Sequence, residues 1–313
     1  MALPNSTFDQ LSAITTKYYI PKMVDNIFAS NALLYRWKRN SDVYTSVNGG
    51  TNIVQPLLYA AATSGGWYSG ADTLNTTDND VFTAAEYDWR QNGYTINISR
   101  IDELKNMGSK EQIVNFVSAK VQVTEASMKE SFGIGLFNAG TTTDAIEGLR
   151  AMVDTTSPTT YGGISGTDNS WWRATKSTST VLSMSLLQGG YGDVTIDGDM
   201  PTVAATTQNL FDKYFDILTP QQRYADSKTA DGGFQNLLFR GIPVLVDSHC
   251  PASYWFFLNE KYIKFYYHPD ENFRFEPFQR VINQNVATAK ILWAGNLGSS
   301  NRRMNMVFTS LTE

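Results

Sequence analysis

The sequence predicts an α+β protein in which one long helix accompanies one long hairpin. Apolar or small residues recur every three or four positions through residues 109–138, which indicates a helix. Apolar and polar residues alternate through residues 86–99, which indicates strands. Short β segments separated by turn residues fill residues 237–311, so helices and strands are segregated along the chain.

The composition suits a folded protein of more than one lobe and excludes several functional classes. The 313 residues are 42% hydrophobic and 18% charged, with a formal net charge of -5. A net negative charge disfavours broad coating of DNA, because such binding neutralises phosphates with Lys and Arg. One cysteine and two histidines exclude an internal disulfide framework and a Cys-rich zinc site. No cofactor or metal is expected.

Neither a membrane segment nor an export signal is expected. The sequence contains no run of ~18 consecutive apolar residues, the length that a membrane-spanning helix needs. Its first residues do not combine a basic stretch with an apolar run, so no secretory signal is predicted. Synthesis in a reducing cytoplasm is therefore the expectation.

The first 100 residues are predicted to form a helical segment followed by an extended hairpin. Residues 8–40 show mostly helical spacing and end in a small basic cluster. Residues 48–100 read as two extended arms around a turn-rich tip, and Gly93 is predicted to mark a β-bulge.

Residues 109–138 are predicted to form a single rod with Ser109 as its N-cap. Its apolar or small face consists of Ile113, Val117, Val121, Thr124, Met128, Phe132 and Leu136. At 1.5 Å per residue the rod would be roughly 45 Å long. A compact chain of this size has a radius of gyration of only about 20 Å. The sequence therefore predicts a molecule that is less compact than a simple globule.

The rest of the chain is predicted to be mainly β structure with one further helix. We expect a short strand at residues 148–153, a turn at residues 189–192 and a helix at residues 202–218. Four short strands are expected at residues 237–239, 242–246, 253–258 and 262–267. Two long strands, at residues 285–295 and 302–311, are expected around a turn at residues 296–300.

One tetrapeptide contains the residue types of a nucleophilic triad: Asp247, Ser248, His249 and Cys250. Neighbouring residues of a strand point to opposite faces, so sequence neighbours rarely assemble that geometry. We therefore predict the end of a strand there, with Pro251 turning the chain, and no catalytic role.

A carbohydrate-active enzyme or a sugar-binding module is the alternative from a different functional class. The hairpin carboxylates could supply a glycosidase pair or a cation site, and the scattered tryptophans could stack on sugars. No Gly and Glu follow Asp78-Asn79-Asp80 at the positions of a calcium loop, so a solvated loop is the simpler interpretation. The distribution of the tryptophans favours core and interface packing.

Charge is distributed unevenly between the first two segments. Residues 1–47 hold five basic and three acidic residues, a net of +2, whereas residues 48–100 hold two basic and five acidic residues, a net of -3. Two interpretations stay open. One is ordinary surface variation, and the other is that elements of opposite sign meet within a subunit or between neighbours.

The order of these parts resembles that of tailed-bacteriophage major capsid proteins with the Hong Kong 97-type fold. The N-terminal segment, the hairpin and the long helix match in order and proportion. Shorter matches are Gly148-Leu149, residues 161–165 together with Trp171-Trp172, and residues 241–244. The resemblance covers nearly the whole chain and implies an α+β capsid fold.

The resemblance also implies a division of the chain. It assigns residues 1–47 to an N-terminal arm and residues 48–100 to an extended hairpin loop. The peripheral domain would contain residues 101–177 and 276–313, with the spine helix at about residues 109–138. Residues 178–275 would form the axial domain.

The function that the resemblance implies is structural and not enzymatic. Copies would assemble as hexamers and pentamers into an icosahedral head that encloses double-stranded DNA, without sequence-specific binding and without a membrane. A portal would occupy one vertex, and the protein would be part of the virion after assembly in the host cytoplasm. Candidate inter-subunit contacts lie on the arm and the hairpin, whose apolar residues one subunit is expected to leave uncovered: Arg36, Lys38, Arg39, Leu57, Leu58, Asp72, Asp78, Asp80, Glu86, Tyr87, Asp88 and Trp89.

Two departures from the family set further expectations. Some members join their subunits covalently through a hairpin lysine, but residues 48–100 contain no lysine, so no such cross-link is expected. The chain has no long extension before the arm, so a separate scaffolding protein is expected. A cargo compartment of the encapsulin type, which has a similar fold, is the alternative within the assembly class.

Overall fold

The structure is a computed structural model that describes residues 31–73, 77, 79–105, 110–153, 160–218, 236–280 and 284–312. Of the helical segment predicted at residues 8–40, the part up to residue 30 lies outside the described residues. The segment that follows begins with a helix capped by Asn31, whose side-chain oxygen accepts the backbone N–H groups of Leu33 and Leu34 at 3.0 Å each.

Six α-helices lie in the described part of the chain. They are α1 (Ala32–Lys38), α2 (Arg100–Lys105), α3 (Lys110–Leu136), α4 (Leu149–Val153), α5 (Met184–Asp193) and α6 (Gln208–Ile217). None of these described helices is both long and apolar enough to cross a lipid bilayer.

The described residues also form fifteen strands in four sheets. In chain order they are β1 (Tyr44–Ser46), β2 (Ile53–Leu58), β3 (Phe82–Tyr87), β4 (Arg90–Ser99), β5 (Thr160–Tyr161), β6 (Ile164–Ser165), β7 (Thr175–Thr178), β8 (Val203–Thr206), β9 (Asn236–Phe239), β10 (Ile242–Val246), β11 (Trp255–Leu258), β12 (Ile263–Tyr267), β13 (Arg274–Arg280), β14 (Val286–Ser299) and β15 (Met306–Thr309).

The long helix predicted at residues 109–138 is confirmed as α3. Its 27 residues span about 40 Å. The predicted face is the one that meets the core, because its described members are all buried: Val117, Val121, Thr124, Met128, Phe132 and Leu136. The ring of Phe132 packs edge-on against Trp293 of β14, with centroids 5.0 Å apart, and so fastens the helix to the neighbouring sheet. The predicted cap Ser109 lies outside the described residues.

The longest strand, β14, organises a five-stranded sheet. It pairs antiparallel with β4, β12 and β13, and β1 adds in parallel to β12. The β4–β14 register runs without a shift through Gly93, which lies opposite Leu292, so the predicted bulge at Gly93 is wrong. A Cβ atom at Gly93 would lie 3.0 Å from Leu292 Cδ2, and this close packing accounts for the glycine.

A six-stranded sheet has the order β7-β15-β11-β8-β10-β9. One of its faces joins the same core as α3 and the five-stranded sheet, through residues such as Phe256 and Val307. The other face is covered by α5 and α6, which contribute Leu187 and Leu210 to a second core. Because β14 and β15 are consecutive strands, the C-terminal part of the chain connects the two sheets.

The first predicted arm forms β2 and pairs with β3 in a two-stranded antiparallel ribbon, in which Ile53 lies opposite Tyr87 and Leu58 opposite Phe82. The second predicted arm, the alternating residues 86–99, was wrong as a hairpin partner, because most of it is β4. The chain leaves this ribbon after Tyr87, and β4 belongs to the five-stranded sheet. The two C-terminal strands also lie in different sheets: β14 belongs to the five-stranded sheet, and β15 pairs with β7 and β11 in the six-stranded sheet. The division into arm, hairpin, peripheral and axial domains stays a prediction.

The segment at residues 202–218 is not one helix, as predicted, but a strand followed by a helix. Val203–Thr206 forms β8, which is fully buried between β10 and β11. Thr207 then caps α6 by accepting the Leu210 N–H at 3.4 Å. Burial on both faces leaves β8 without the alternating pattern that identifies a strand in sequence.

Two short segments are helical although a strand and a turn were predicted. At residues 148–153 the chain forms α4, whose buried Leu149, Met152 and Val153 are three and four positions apart. Residues 189–192 lie inside α5. A Cβ atom at Gly190 would lie 2.3 Å from Phe308 Cζ, so this glycine lets α5 approach the sheet closely.

Of the turn predicted at residues 296–300, residues 296–299 are instead the buried end of β14. The Asn296 side chain accepts the Glu147 N–H at 3.0 Å and donates to the Asp88 carbonyl at 2.9 Å. Ser299 Oγ donates to the Tyr262 carbonyl at 3.0 Å. Polar residues that resemble a turn in sequence are stable in this core because their hydrogen-bonding groups are satisfied.

We predict that Gly148→Ala destabilises the fold. The added Cβ would lie 2.4 Å from the Asn138 nitrogen and 2.5 Å from the Gly135 carbonyl oxygen, so the end of α3 would have to move. The expected loss is about 1–3 kcal/mol or more in the free energy of unfolding, measured by urea denaturation. Gly189→Ala in α5 is the control, because nothing lies within 4 Å of its Cβ; it should stabilise by about 0.5–1 kcal/mol. Equal effects of the two substitutions would contradict the prediction.

Candidate functional site

The ribbon β2–β3 is fixed to the body of the chain by the end that joins the sheet. The buried Tyr87 hydroxyl donates to the Ser299 carbonyl at 2.8 Å and accepts the Ser299 N–H at 3.0 Å. Burial raises the pKa of Tyr87, so the hydroxyl stays in the neutral form that can donate. This pair of hydrogen bonds sets the position of β3 relative to β14.

The inner face of the ribbon packs against the loop that contains Gly162. The Glu86 N–H donates to the Gly162 carbonyl at 3.0 Å. Gly162 has φ of 59°, and a Cβ there would lie 2.9 Å from Ala85 Cβ, so the backbone conformation and the close approach both favour glycine. Ile53 and Leu57 are buried on the same face. The ribbon is therefore seated along its length.

The opposite face of the ribbon is mostly apolar and mostly exposed. This outer face consists of Val54, Pro56, Leu58, Phe82 and Ala84, with one carboxylate, Glu86, opposite Val54. Leu58 and Phe82 lie opposite each other and are 70% and 75% exposed. Contiguous exposed apolar surface of this kind marks an interaction site. The geometry thus provides a surface for binding another macromolecule.

The two strands of the ribbon are joined by residues 60–80, which we call the tip loop and whose described residues are mostly exposed. Asn79 holds its two ends together, since its side chain accepts the Thr63 N–H at 3.1 Å and donates to the Ala61 carbonyl at 3.3 Å. Trp67 in this loop is fully exposed, and Tyr68 is largely exposed. Trp67, Val54 and Phe82 are not among the contact residues that were predicted from the sequence. The sequence signal that could have identified Trp67 was an aromatic pair between Gly66 and Gly70, in a turn-rich segment.

Two predicted contact residues are covered by their own chain, which corrects the expectation that a neighbour must bury them. Leu57 and Tyr87 are buried on the inner face. Leu58 is exposed and belongs to the outer face. Trp89 is half-buried, and its Nε1 donates to the Gly50 carbonyl at 2.9 Å.

Several predicted charged contacts also have partners within the chain. Arg36 donates from Nε and Nη2 to the two carboxylate oxygens of the buried Glu260, at 2.8 Å each. Such a bidentate pair orients both groups, so Arg36 serves to attach α1. Arg39 donates to the Tyr35 hydroxyl at 3.2 Å, and Lys38 lies half-buried on the same helix.

The acidic residues of the hairpin are dispersed. Asp72, Asp80 and Glu86 are exposed, and Asp72 accepts the Ser69 N–H at 2.9 Å in a turn of the tip loop. Asp78 lies outside the described residues. Asp88 is near the ribbon end, 3.4 Å from Arg90 Nη2.

The carboxylates Asp88 and Glu147 share Arg90, whose Nη2 lies 3.4 Å and 3.6 Å from them. Burial raises the pKa of Glu147, and the Arg90 charge opposes that rise. A cavity of about 530 Å³ adjoins these groups. Arg90 therefore joins both carboxylates in ion pairs within the chain. Trp172, Trp255 and Trp293 are buried in the core, so they cannot stack on a sugar.

His249 is arranged as a structural ion pair and not as a catalytic base. Its Nε2 lies 3.1 Å from Glu130 of α3, and its Nδ1 lies 3.6 Å from buried Asp247 and 3.3 Å from Ser248 Oγ. Asp247, followed by Glu130, raises the pKa of His249 to about 9 despite partial burial. A protonated imidazole cannot accept the Ser248 proton at neutral pH. The tetrapeptide directly follows the end of β10, as predicted from the sequence.

Within the described ranges, no group of three or more His, Cys, Asp or Glu side chains is arranged to hold a metal ion.

Solved structures with the same arrangement are virus-like shells. A chain of the cyanophage A-1(L) capsid asymmetric unit superposes with a TM-score of 0.66 at 15% identity, covering 86% of this chain and 90% of that one. A capsid chain of a native GTA particle gives 0.60 at 11% identity, covering 88% and 90%. The SrpI encapsulin of Synechococcus elongatus PCC 7942 gives 0.56 at 12% identity, covering 88% of each chain. No protein-family model and no curated protein matches the sequence.

These likenesses establish the fold class. The chain has the α+β, Hong Kong 97-type fold of tailed-phage major capsid proteins, as its sequence predicted. Among these three, the cyanophage capsid chain is the most similar in structure and the encapsulin the least.

We predict that His249 makes stability depend on alkaline pH. Its pKa of about 9 in the fold lies above the ordinary 6.5, so its contribution is fully present below about pH 6.5 and is lost as pH rises through about 9. In His249→Gln, the unfolding temperature should fall less between about pH 6 and 10 than in the unsubstituted chain. His268→Gln is the control, because His268 makes no ion pair among the described residues. Identical pH slopes for all three proteins would refute this assignment.

Proposed function

We propose that this protein is the major capsid protein of a tailed bacteriophage, which assembles into the icosahedral head that encloses double-stranded DNA. The observation that carries this proposal is the ribbon, which is seated on its own chain by one face and leaves the other apolar face uncovered. That geometry occurs on a capsid-type fold. The activity is assembly, so binding surfaces take the place of a catalytic site.

Assembly would be driven by the apolar area that each copy buries on its neighbours. At about 25 cal/mol per Å² of apolar surface, a few hundred square ångströms per contact gives several kcal/mol. Each copy has several neighbours in hexamers and pentamers, so many modest contacts add up to a stable shell. The net charge of -5 suits a container whose wall should not hold DNA tightly.

The proposal includes the regions and partners implied by the capsid resemblance. Residues 1–47 would serve as an arm, residues 48–100 as the extended hairpin, residues 101–177 and 276–313 as the peripheral domain, and residues 178–275 as the axial domain. A separate scaffolding protein would guide assembly in the host cytoplasm, and a portal would occupy one vertex. The hairpin contains no lysine, so its contacts would stay non-covalent.

A cargo compartment is the second candidate function, and one observation favours it. The SrpI encapsulin chain covers this chain about as completely as the capsid chains do. The same outer face would then join copies of a shell that holds a protein. The contents of the purified particle distinguish the two candidates.

We predict that the purified protein forms capsomers or closed shells in negative-stain electron microscopy. Particles from infected cells should contain DNA, whereas a co-purifying enzyme in place of DNA would favour the cargo compartment. Correctly sized shells from expression of this chain alone would refute the need for a scaffolding protein. A stable monomer at assembly concentrations, with no larger species, would overturn the proposed function.

We predict that Leu58→Asp and Phe82→Asp abolish assembly and leave the subunit folded. Both side chains lie on the outer face, so a charge there costs stability only about 0.5 kcal/mol or less within the chain. In an assembled shell, the new aspartate would place an unpaired carboxylate in the contact that buries the outer face. Val181→Asp is the control, at a side chain 67% exposed away from the ribbon. Sedimentation and unfolding curves should separate the two effects, and normal shells from both ribbon variants would contradict the role of the outer face.

A further inference from the structure

A pocket of about 170 Å³ lies where the ribbon meets the body of the chain. Its walls include Leu58, Tyr59, Trp171, Trp172, Asn301 and Arg303, and we call it the junction pocket. Tyr59 and Trp171 stack with ring centroids 5.2 Å apart, so one wall is a flat aromatic surface. An apolar cavity of about 150 Å³ accepts a benzene ring. The junction pocket therefore has room for an aromatic side chain.

The junction pocket is also positively charged. Arg303 is exposed at its rim and makes no ion pair within the described part of the chain. The buried Arg302 lies behind the wall, with its Cζ 5.9 Å from the Trp172 ring centroid. No Asp or Glu is among the residues that line the pocket. A partner for this site should therefore combine an aromatic ring with negative charge.

The tip loop has both of these properties. Residues 59–81 contain three aspartates and no lysine or arginine. Trp67 is fully exposed, so it does not occupy the junction pocket of its own chain. The Ser69–Asp72 turn, closed by the Asp72 carboxylate, holds an acidic group five positions from this indole. The loop thus presents a ring and a charge together, and the ring is exposed among the residues that the structure describes.

We propose that Trp67 of one copy inserts into the junction pocket of a second copy, with Asp72 beside Arg303. This contact rests on the proposed shell function and identifies where the tip loop binds. The tip loop and the pocket are different surfaces, so the contact is heterologous, and repeated head-to-tail contacts of this kind form rings when the rotation between copies closes. A buried aromatic anchor surrounded by polar contacts is also the usual composition of an interface hot spot.

A disulfide test identifies which copies meet. The chain has one cysteine, the buried Cys250, so the background is low. Tyr68→Cys, which leaves the Trp67 anchor in place, combined with Ser300→Cys, at a residue that lines the pocket, should give a ladder of covalent multimers on a non-reducing denaturing gel. Val181→Cys combined with Ser300→Cys is the matched control and should give no ladder. A reducing agent should return every band to the single chain.

Each other outcome of the disulfide test counts against the contact. A cross-link within one chain would show that the tip loop folds back on its own pocket. Shells visible by microscopy without a ladder would refute the contact and leave the proposed function intact. If the unsubstituted chain does not assemble at all, the proposed function fails first, and the contact fails with it.

A charge exchange provides a second, independent readout. Asp72→Lys and Arg303→Glu should each reduce shell yield at least several-fold, and the double variant should recover most of the yield because the opposite charges meet again. Asp72→Asn keeps a side-chain oxygen for the Ser69 N–H, so it reports the loss of charge without loss of the turn. Additive losses in the double variant would overturn the proposed pairing.

Discussion

The attachment of Tyr87 to the backbone of Ser299 is the constraint on which the interaction surface depends. One hydroxyl satisfies both a carbonyl and an N–H of β14, in a buried setting where either group left alone would be costly. This fixes the ribbon on the sheet and decides which of its faces meets the body. The uncovered outer face follows directly, because successive side chains of a strand point to opposite sides.

The strand to which Tyr87 is attached, β14, is held by neighbouring elements along its length. β14 carries Ser299 at one end and pairs with β4, β12 and β13 along its length, while β15 continues into the second sheet. Trp293 of β14 packs against Phe132 of the long helix. An exposed surface on such a frame loses little conformational freedom on binding, so more of the buried area is available as affinity.

The elements that could be predicted from sequence are those whose periodicity is local. The helix α3 keeps one apolar side along its described residues, and β4 alternates between apolar and polar residues. Predictions failed where distant residues decide the structure. β8 is a strand because it is buried between β10 and β11, and Asn296 remains in a strand because Glu147 and Asp88 satisfy its amide. Neither circumstance is visible within a short window of sequence.

In the candidate site, too, local sequence does not decide the environment of single residues. Leu57 and Leu58 are adjacent and chemically identical, yet one is buried and the other is exposed, since only the contact with the body sets the phase of the strand. The charges of the arm and the hairpin also depend on contacts with distant parts of the chain. Arg36 and Asp88 find partners in their own chain. In the proposed shell, apolar area would supply affinity along the ribbon, and charge at its tip would select the register in which copies meet.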